Sequence, residues 1–142
     1  MLALSMDMDK LVAETILGHS TDDQKRITAH WIKIAFKCFE LGDYASLMSI
    51  VSSIRSLFPA RYNRSLQLFF ELLEPDKQYA VLRQVIHDHE PPCVPAIGIY
   101  VVHLNFVRKQ NLAAGELMGY HSEGMQFIDF QSARIIHQLQ RF

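Results

Sequence analysis

The sequence predicts an all-α fold, an irregular bundle of helices, on three observations. Every long apolar pattern recurs at three- and four-residue steps, and none alternates as a half-buried strand does. Helix start and stop residues punctuate those patterns at the spacing of ordinary helices. Of the 142 residues, 49% are hydrophobic, which lets one domain bury a core without staples.

Met8 to Leu17 reads as a short helix closed by Gly18, a residue suited to the left-handed position after a helix end. Thr21 with Gln24 three residues on predicts a capping box, with Asp22 and Asp23 favourably set at the positive end of the helix dipole. In the long helix that follows, Ile27, Trp31, Ile34, Cys38 and Leu41 form one stripe, and Ile32, Ala35, Phe36 and Phe39 an adjoining one. A helix apolar over so much of its circumference is expected at the centre of the bundle and among the most buried, with the face that carries Trp31 covered. Gly42 ends it and Asp43 caps the next, which carries Leu47, Ile50, Val51 and Ile54 and exits at Pro59.

Leu66, Phe69, Phe70 and Leu73 predict a further helix, broken at Pro75-Asp76. Tyr79, Leu82, Val85 and Ile86 predict another. The prolines of Glu90-Pro-Pro-Cys-Val-Pro95 restrict the residues before them and remove backbone donors, so this stretch is expected to be an extended connector. From Ala96 to about Asn111 the spacing of Ile97, Val101, Leu104 and Val107 predicts a helix, inside which Gly98 calls for a packing reason. Gly115, Gly119 and Gly124 predict an irregular loop over 112–126, returning through Phe127-Ile-Asp-Phe130 into a last helix ending at Phe142.

Composition excludes several functions. Fourteen Lys and Arg nearly balance fifteen Asp and Glu, so no summed field steers the chain onto nucleic acid or an anionic membrane. No stretch approaches the roughly 20 apolar residues of a membrane span, and the N-terminus lacks the basic and apolar regions of a signal peptide. Two cysteines, Cys38 and Cys93, are too few for a disulfide framework. The expectation is a cytoplasmic protein that binds no nucleic acid and has no membrane span. His87-Asp-His89 with Cys93 contains zinc-type ligands but lacks a fourth at a standard spacing, and Cys93 has no oxyanion motif to serve it as a nucleophile. No cofactor or metal is expected. Arg61, Tyr62 and Arg64 form a small basic-aromatic patch, most simply a solvated turn, and the pair Phe69-Phe70 and Trp31 are assigned to packing.

Three segments read in order resemble the catalytic domain of the Ras guanine-nucleotide exchange factor family. Trp31-Ile-Lys-Ile-Ala-Phe-Lys-Cys-Phe-Glu-Leu-Gly-Asp-Tyr-Ala-Ser-Leu-Met-Ser-Ile-Val51 is similar to that family's helix, tight turn and following helix. Pro91-Pro-Cys-Val-Pro-Ala-Ile-Gly-Ile-Tyr100 resembles its Pro-Cys-x-Pro-x-x-Gly-x-Tyr stretch. Phe127-Ile-Asp-Phe130 leading to Gln138-Leu-Gln-Arg-Phe142 resembles its Ile-Asn-Phe segment and the helix beyond. The similarity runs from about Val12 to Phe142. It implies one exchange-factor-like domain over residues 1–142 without the family's N-terminal scaffold helices, and therefore apolar surface that favours self-association into a homo-oligomer.

The resemblance also implies a partner, a Ras-family small GTPase, and a helical hairpin that displaces the segment covering its nucleotide. No covalent chemistry is involved; release is driven by tighter binding of the empty state. The family's hairpin presents an apolar residue toward the magnesium site and, one turn later, a Glu toward the phosphate-binding loop. Counting forward from Pro-Cys-Val-Pro places those roles on Asn105 and Lys109, four apart on one helix face. The family's partner-facing turn positions fall on Asp43 and Ala45, its aromatic on Ala96, and a small polar residue on Val102. Asn105 and Lys109 differ in chemistry from the residues they replace, and no acid occurs between Glu90 and Glu116 to supply the missing Glu. The resemblance thus implies an exchange-factor-like domain that acts on or binds a Ras-family GTPase, with a catalytically silent interaction domain as the alternative.

Overall fold

The computed structural model describes residues 2–59, 63–117, 134–137 and 140. Among the described residues the long helices are α1 (Leu2–Leu17), α2 (Thr21–Glu40), α3 (Tyr44–Leu57), α4 (Asn63–Leu72), α5 (Ala80–Asp88) and α6 (Ile97–Leu117), with a 3-10 turn at Asp76–Gln78 before α5. The fold is all-α. Among the described residues the one strand-like feature is an isolated parallel bridge between Asp43 and Val94.

The centre of the bundle is α3, not α2. Tyr44, Leu47, Ile50, Val51 and Ile54 are buried on it together with Ser49 and Ser53, and both α1 and α2 pack against it. On α2 the fully buried line is Thr28, Ile32 and Ala35, so the predicted stripe of Ile27, Trp31, Ile34 and Cys38 is only half-buried and Leu41 is 74% exposed. Thr28 moved the face. Its hydroxyl donates to the Gln24 carbonyl one turn back (2.7 Å), which satisfies the polar group and lets a threonine occupy a buried position that a count of apolar residues assigns to solvent. Trp31 lies at the edge, its indole Nε1–H donating to Thr15 Oγ1 at 2.9 Å across the α1–α2 contact.

The cap of α2 also differs from expectation. Ser20, one residue before Thr21, accepts from the Asp23 N–H, and its own hydroxyl donates to Asp23 Oδ2 at 2.8 Å. Both residues are competent caps; Gln24 is occupied instead with the His19 carbonyl.

Beyond α3, Leu66, Phe69, Leu72 and Leu73 bury the inner face of α4. Phe69 packs on Phe36 and Phe39, with ring centroids 4.7 and 5.8 Å apart, and so ties α4 to the end of α2. Leu82 and Ile86 anchor α5. Helix α6 runs through Gly115 to Leu117, past the predicted loop start at 112, because Leu112, Ala113 and Ala114 are good helix formers and one glycine costs only about 1 kcal/mol. The rest of that predicted loop, the Phe127–Phe130 segment, and the Arg61 and Tyr62 patch lie outside the described residues.

Candidate functional site: a groove and the outer face of the last long helix

The site begins at the turn between α2 and α3. Gly42 closes α2 with φ +72°, the left-handed conformation that favours glycine. Asp43 then caps α3, its carboxylate accepting from the Ser46 N–H at 3.0 Å. Both assignments made from sequence hold.

Against this turn lies the extended connector. Val94 N–H donates to the Gly42 carbonyl (2.8 Å), and the Val94 carbonyl accepts from Tyr44 N–H (2.9 Å) and Ala45 N–H (3.2 Å). A side-chain contact reinforces the dock: the Tyr44 hydroxyl lies 3.0 Å from His89 Nδ1, at the C-terminal end of α5. A Cβ on Gly42 would stand 2.5 Å from His89 Nε2 and 3.0 Å from Cys93 Cβ, so close approach as well as conformation demands glycine here. Burial pushes the Tyr44 hydroxyl pKa up, helped by the nearby Cys93. The Cys38 thiol is likewise pushed up, by burial first and by Asp43 second.

Docking the connector on α3 leaves a groove of about 520 Å³ bounded by α1, α3 and the start of α6. Asp43, Ala45 and Ala96, three of the positions named from sequence, line it together. Ala96 is only 6% exposed and forms floor rather than rim. Met48, Val94 and Gly98 also line the groove and were not assigned to a site from sequence. Gly98 carried the available signal: a Cβ there would meet nothing within 4 Å, so the glycine fills no packing role among the described residues and borders the open groove at the start of α6.

The remaining predicted positions do not line the groove. Val102, Asn105 and Lys109 follow Gly98 along α6 at steps of four, three and four residues, which confines them to an arc of about 60° on an ideal helix. All three are exposed. The opposite arc carries Ile99, Tyr100 and Val107, which are buried, and the half-buried His103 and Leu104. One surface therefore runs from the groove along α6 for about 16 Å from Gly98 to Lys109. It is apolar at Val101, Val102 and Phe106 and cationic at Arg108 and Lys109, while Asp9 and Asp43 line the groove itself.

The family model of the RasGEF domain matches residues 1–133, which takes in the turn, the connector and all of α6. The chain belongs to the RasGEF domain family. It is similar to Ras guanine nucleotide exchange factor C of Dictyostelium discoideum, 26% identical over 92% of this chain and 9% of that protein. It is 30% identical to the Ras-specific guanine nucleotide-releasing factor RalGPS1 of Mus musculus over 92% of this chain and 24% of that one. The guanine nucleotide exchange factor LTE1 of Kluyveromyces lactis is 23% identical over 95% of this chain and 12% of its own length. The chain thus spans between about a tenth and a quarter of these curated relatives.

Among the described residues no helix is long and apolar enough to cross a membrane, and no cluster of three or more His, Cys, Asp and Glu is arranged to hold a metal ion. His87 and His89 face different neighbours, Asp88 and Tyr44.

Proposed function

We propose that this domain binds a Ras-family small GTPase across the groove and the outer face of α6, and that it does so with little or no acceleration of nucleotide release. The observation that carries the reading is the continuity of the surface. In a chain of the RasGEF family, Asp43, Ala45 and Ala96 share one groove whose open end at Gly98 leads directly onto Val102, Asn105 and Lys109. The names of those three relatives speak of exchange or release, and that activity is proposed for this chain only in weakened form.

Lys109 favours the silent reading. An exposed ammonium placed near a bound nucleotide attracts its phosphates, whereas displacement needs an anion that takes the phosphates' place. Arg108 beside it adds to that attraction. Catalysis by an exchange factor requires tighter binding to the empty GTPase than to the loaded one; a cationic tip works in the other direction.

The test is release of a fluorescent guanine nucleotide from a panel of Ras-family GTPases, run beside a direct binding measurement. Binding by the parent chain with little change in release rate is the expected result, with a gain of exchange in the Asn105→Leu, Lys109→Glu double variant. Strong exchange by the parent chain, undiminished by Lys109→Ala, would show that this assignment of α6 is wrong. Absence of binding to every GTPase tested would remove the reading altogether.

A further inference from the structure

Helix α6 meets the rest of the domain at a second place, where its inner face packs on the 3-10 turn before α5. His103 sits on that inner face. Its Nδ1 is buried and has no hydrogen-bond partner among the described residues. As a neutral ring it can leave a lone pair there, but a second ring proton would put an N–H and a share of positive charge on an atom with nothing to receive them.

The neighbouring charge makes this worse. Arg83 of α5 is the cation that acts on His103, and the same guanidinium interacts with Tyr100 one turn earlier on α6. Arg83 is held in place by its Nε–H, which donates to the Gln78 carbonyl at 3.0 Å. That carbonyl belongs to a constrained bend: Gln78 and Tyr79 take consecutive left-handed conformations, φ 54° and 59°, without being glycine. The other titratable groups on the packed elements are Asp76, Lys77 and Tyr79 around the 3-10 turn, His87 and Asp88 on α5, and Arg108, Lys109 and Glu116 on α6. Of these, Asp76, His87, Asp88, Arg108 and Lys109 are exposed, and His87 pairs with Asp88.

We propose that the joint between α6 and the α5 turn is proton-sensitive: neutral His103 lets α6 seat beside Arg83, and its protonation lifts α6 from that seat. Burial, and Arg83 after it, hold the His103 pKa below its ordinary 6.5, in keeping with a neutral resting state. The sign follows. A base whose folded pKa is depressed takes up its proton more readily when the joint is open, so seating is firmest above pH 6.5 and weakens as pH falls through the lowered value. The device concerns the carriage of α6 and holds whatever partner uses its outer face.

Hydrogen exchange followed by mass spectrometry reads the joint without any partner. Between about pH 7.5 and about pH 5.5, after correction for intrinsic rates, amide protection in residues 99–107 should fall several-fold while that of α3 stays unchanged. His103→Gln, which cannot become charged, should abolish the difference, and Arg83→Gln should reduce it. Nuclear magnetic resonance titration of the parent chain supplies the second measurement: His103 should titrate below its ordinary 6.5, and Arg83→Gln should bring it closer to that value. Equal loss of protection in α3 and α6, an unchanged loss in His103→Gln, or a His103 titration at or above 6.5 would each overturn the proposal.

Discussion

Replacing Gly42 with alanine attacks the dock between the α2–α3 turn and the connector in two ways that can be measured apart. At φ +72° an L side chain costs about 1–2 kcal/mol in backbone conformation alone. The added methyl then stands 2.5 Å from His89 Nε2 and 3.0 Å from Cys93 Cβ. The imidazole can swing away, giving up its contact with the Tyr44 hydroxyl at about 1 kcal/mol, or the connector can shift, an overpacking cost of about 1–3 kcal/mol. The total is about 2–3 kcal/mol by the first route and about 2–5 kcal/mol by the second, a large part of the 5–15 kcal/mol that typically stabilises a domain. Urea unfolding followed by circular dichroism should show the midpoint falling accordingly.

A double-mutant cycle separates the two costs. His89→Ala removes the ring that the methyl strikes, so Gly42→Ala combined with His89→Ala should be less destabilised than the sum of the single variants, while the backbone cost persists. If Gly42→Ala stays within about 0.5 kcal/mol of the parent chain, neither the left-handed turn nor the close approach constrains this position, and the account of the dock fails.

Trp31→Phe keeps an aromatic at the α1–α2 edge but deletes the donor to Thr15, so a loss of about 1 kcal/mol is expected by urea unfolding followed by circular dichroism; no loss would mean that the bond contributes nothing net. The Cys38 thiol, raised by burial and then by Asp43, should alkylate more slowly than Cys93 in a mapped iodoacetamide reaction at mildly alkaline pH. Because its folded pKa is raised above 9.0, the stability it contributes is present below that value and is lost as pH rises through the folded pKa.

What the sequence discloses and what it hides divide along physical lines. The end of α2 and the start of α3 could be read directly, because Gly42 and Asp43 solve local problems with local chemistry. The extended connector was equally legible, since its prolines forbid helix. Its docking was not: Val94 is held through backbone groups, which leave no mark in the choice of side chain. The same holds for α3 as the central helix. Ser49 and Ser53 interrupt its apolar pattern, yet both are buried, whereas the more continuous pattern of α2 includes Phe36, which is 40% exposed, and runs on to Leu41, which is largely exposed. For the candidate site, spacing sufficed to put Asn105 and Lys109 on one face, but the groove depends on residues 43 to 48 meeting 94 to 98 in space. No spacing along the chain reports that meeting.

The length of α6 gives those two attachments their importance. From Ile97 to Lys109 the helix extends about 18 Å, so a tilt of only 5° about its N-terminal end displaces the Lys109 backbone by about 1.6 Å. A shift of that size is enough to spoil recognition between positioned groups. The Val94 dock fixes where α6 starts but exerts little leverage on its direction, because its hydrogen bonds lie before the first helical residue. Direction has to be set farther along, by Tyr100, His103 and Val107 on the inner arc. The two attachments therefore do different work: the dock at Gly42 and Val94 forms the groove, and the joint beside Arg83 aims the stripe that continues from it. Damage at Gly42 should disturb both groove and stripe, whereas a change at His103 should leave the groove intact and move only the far end of α6.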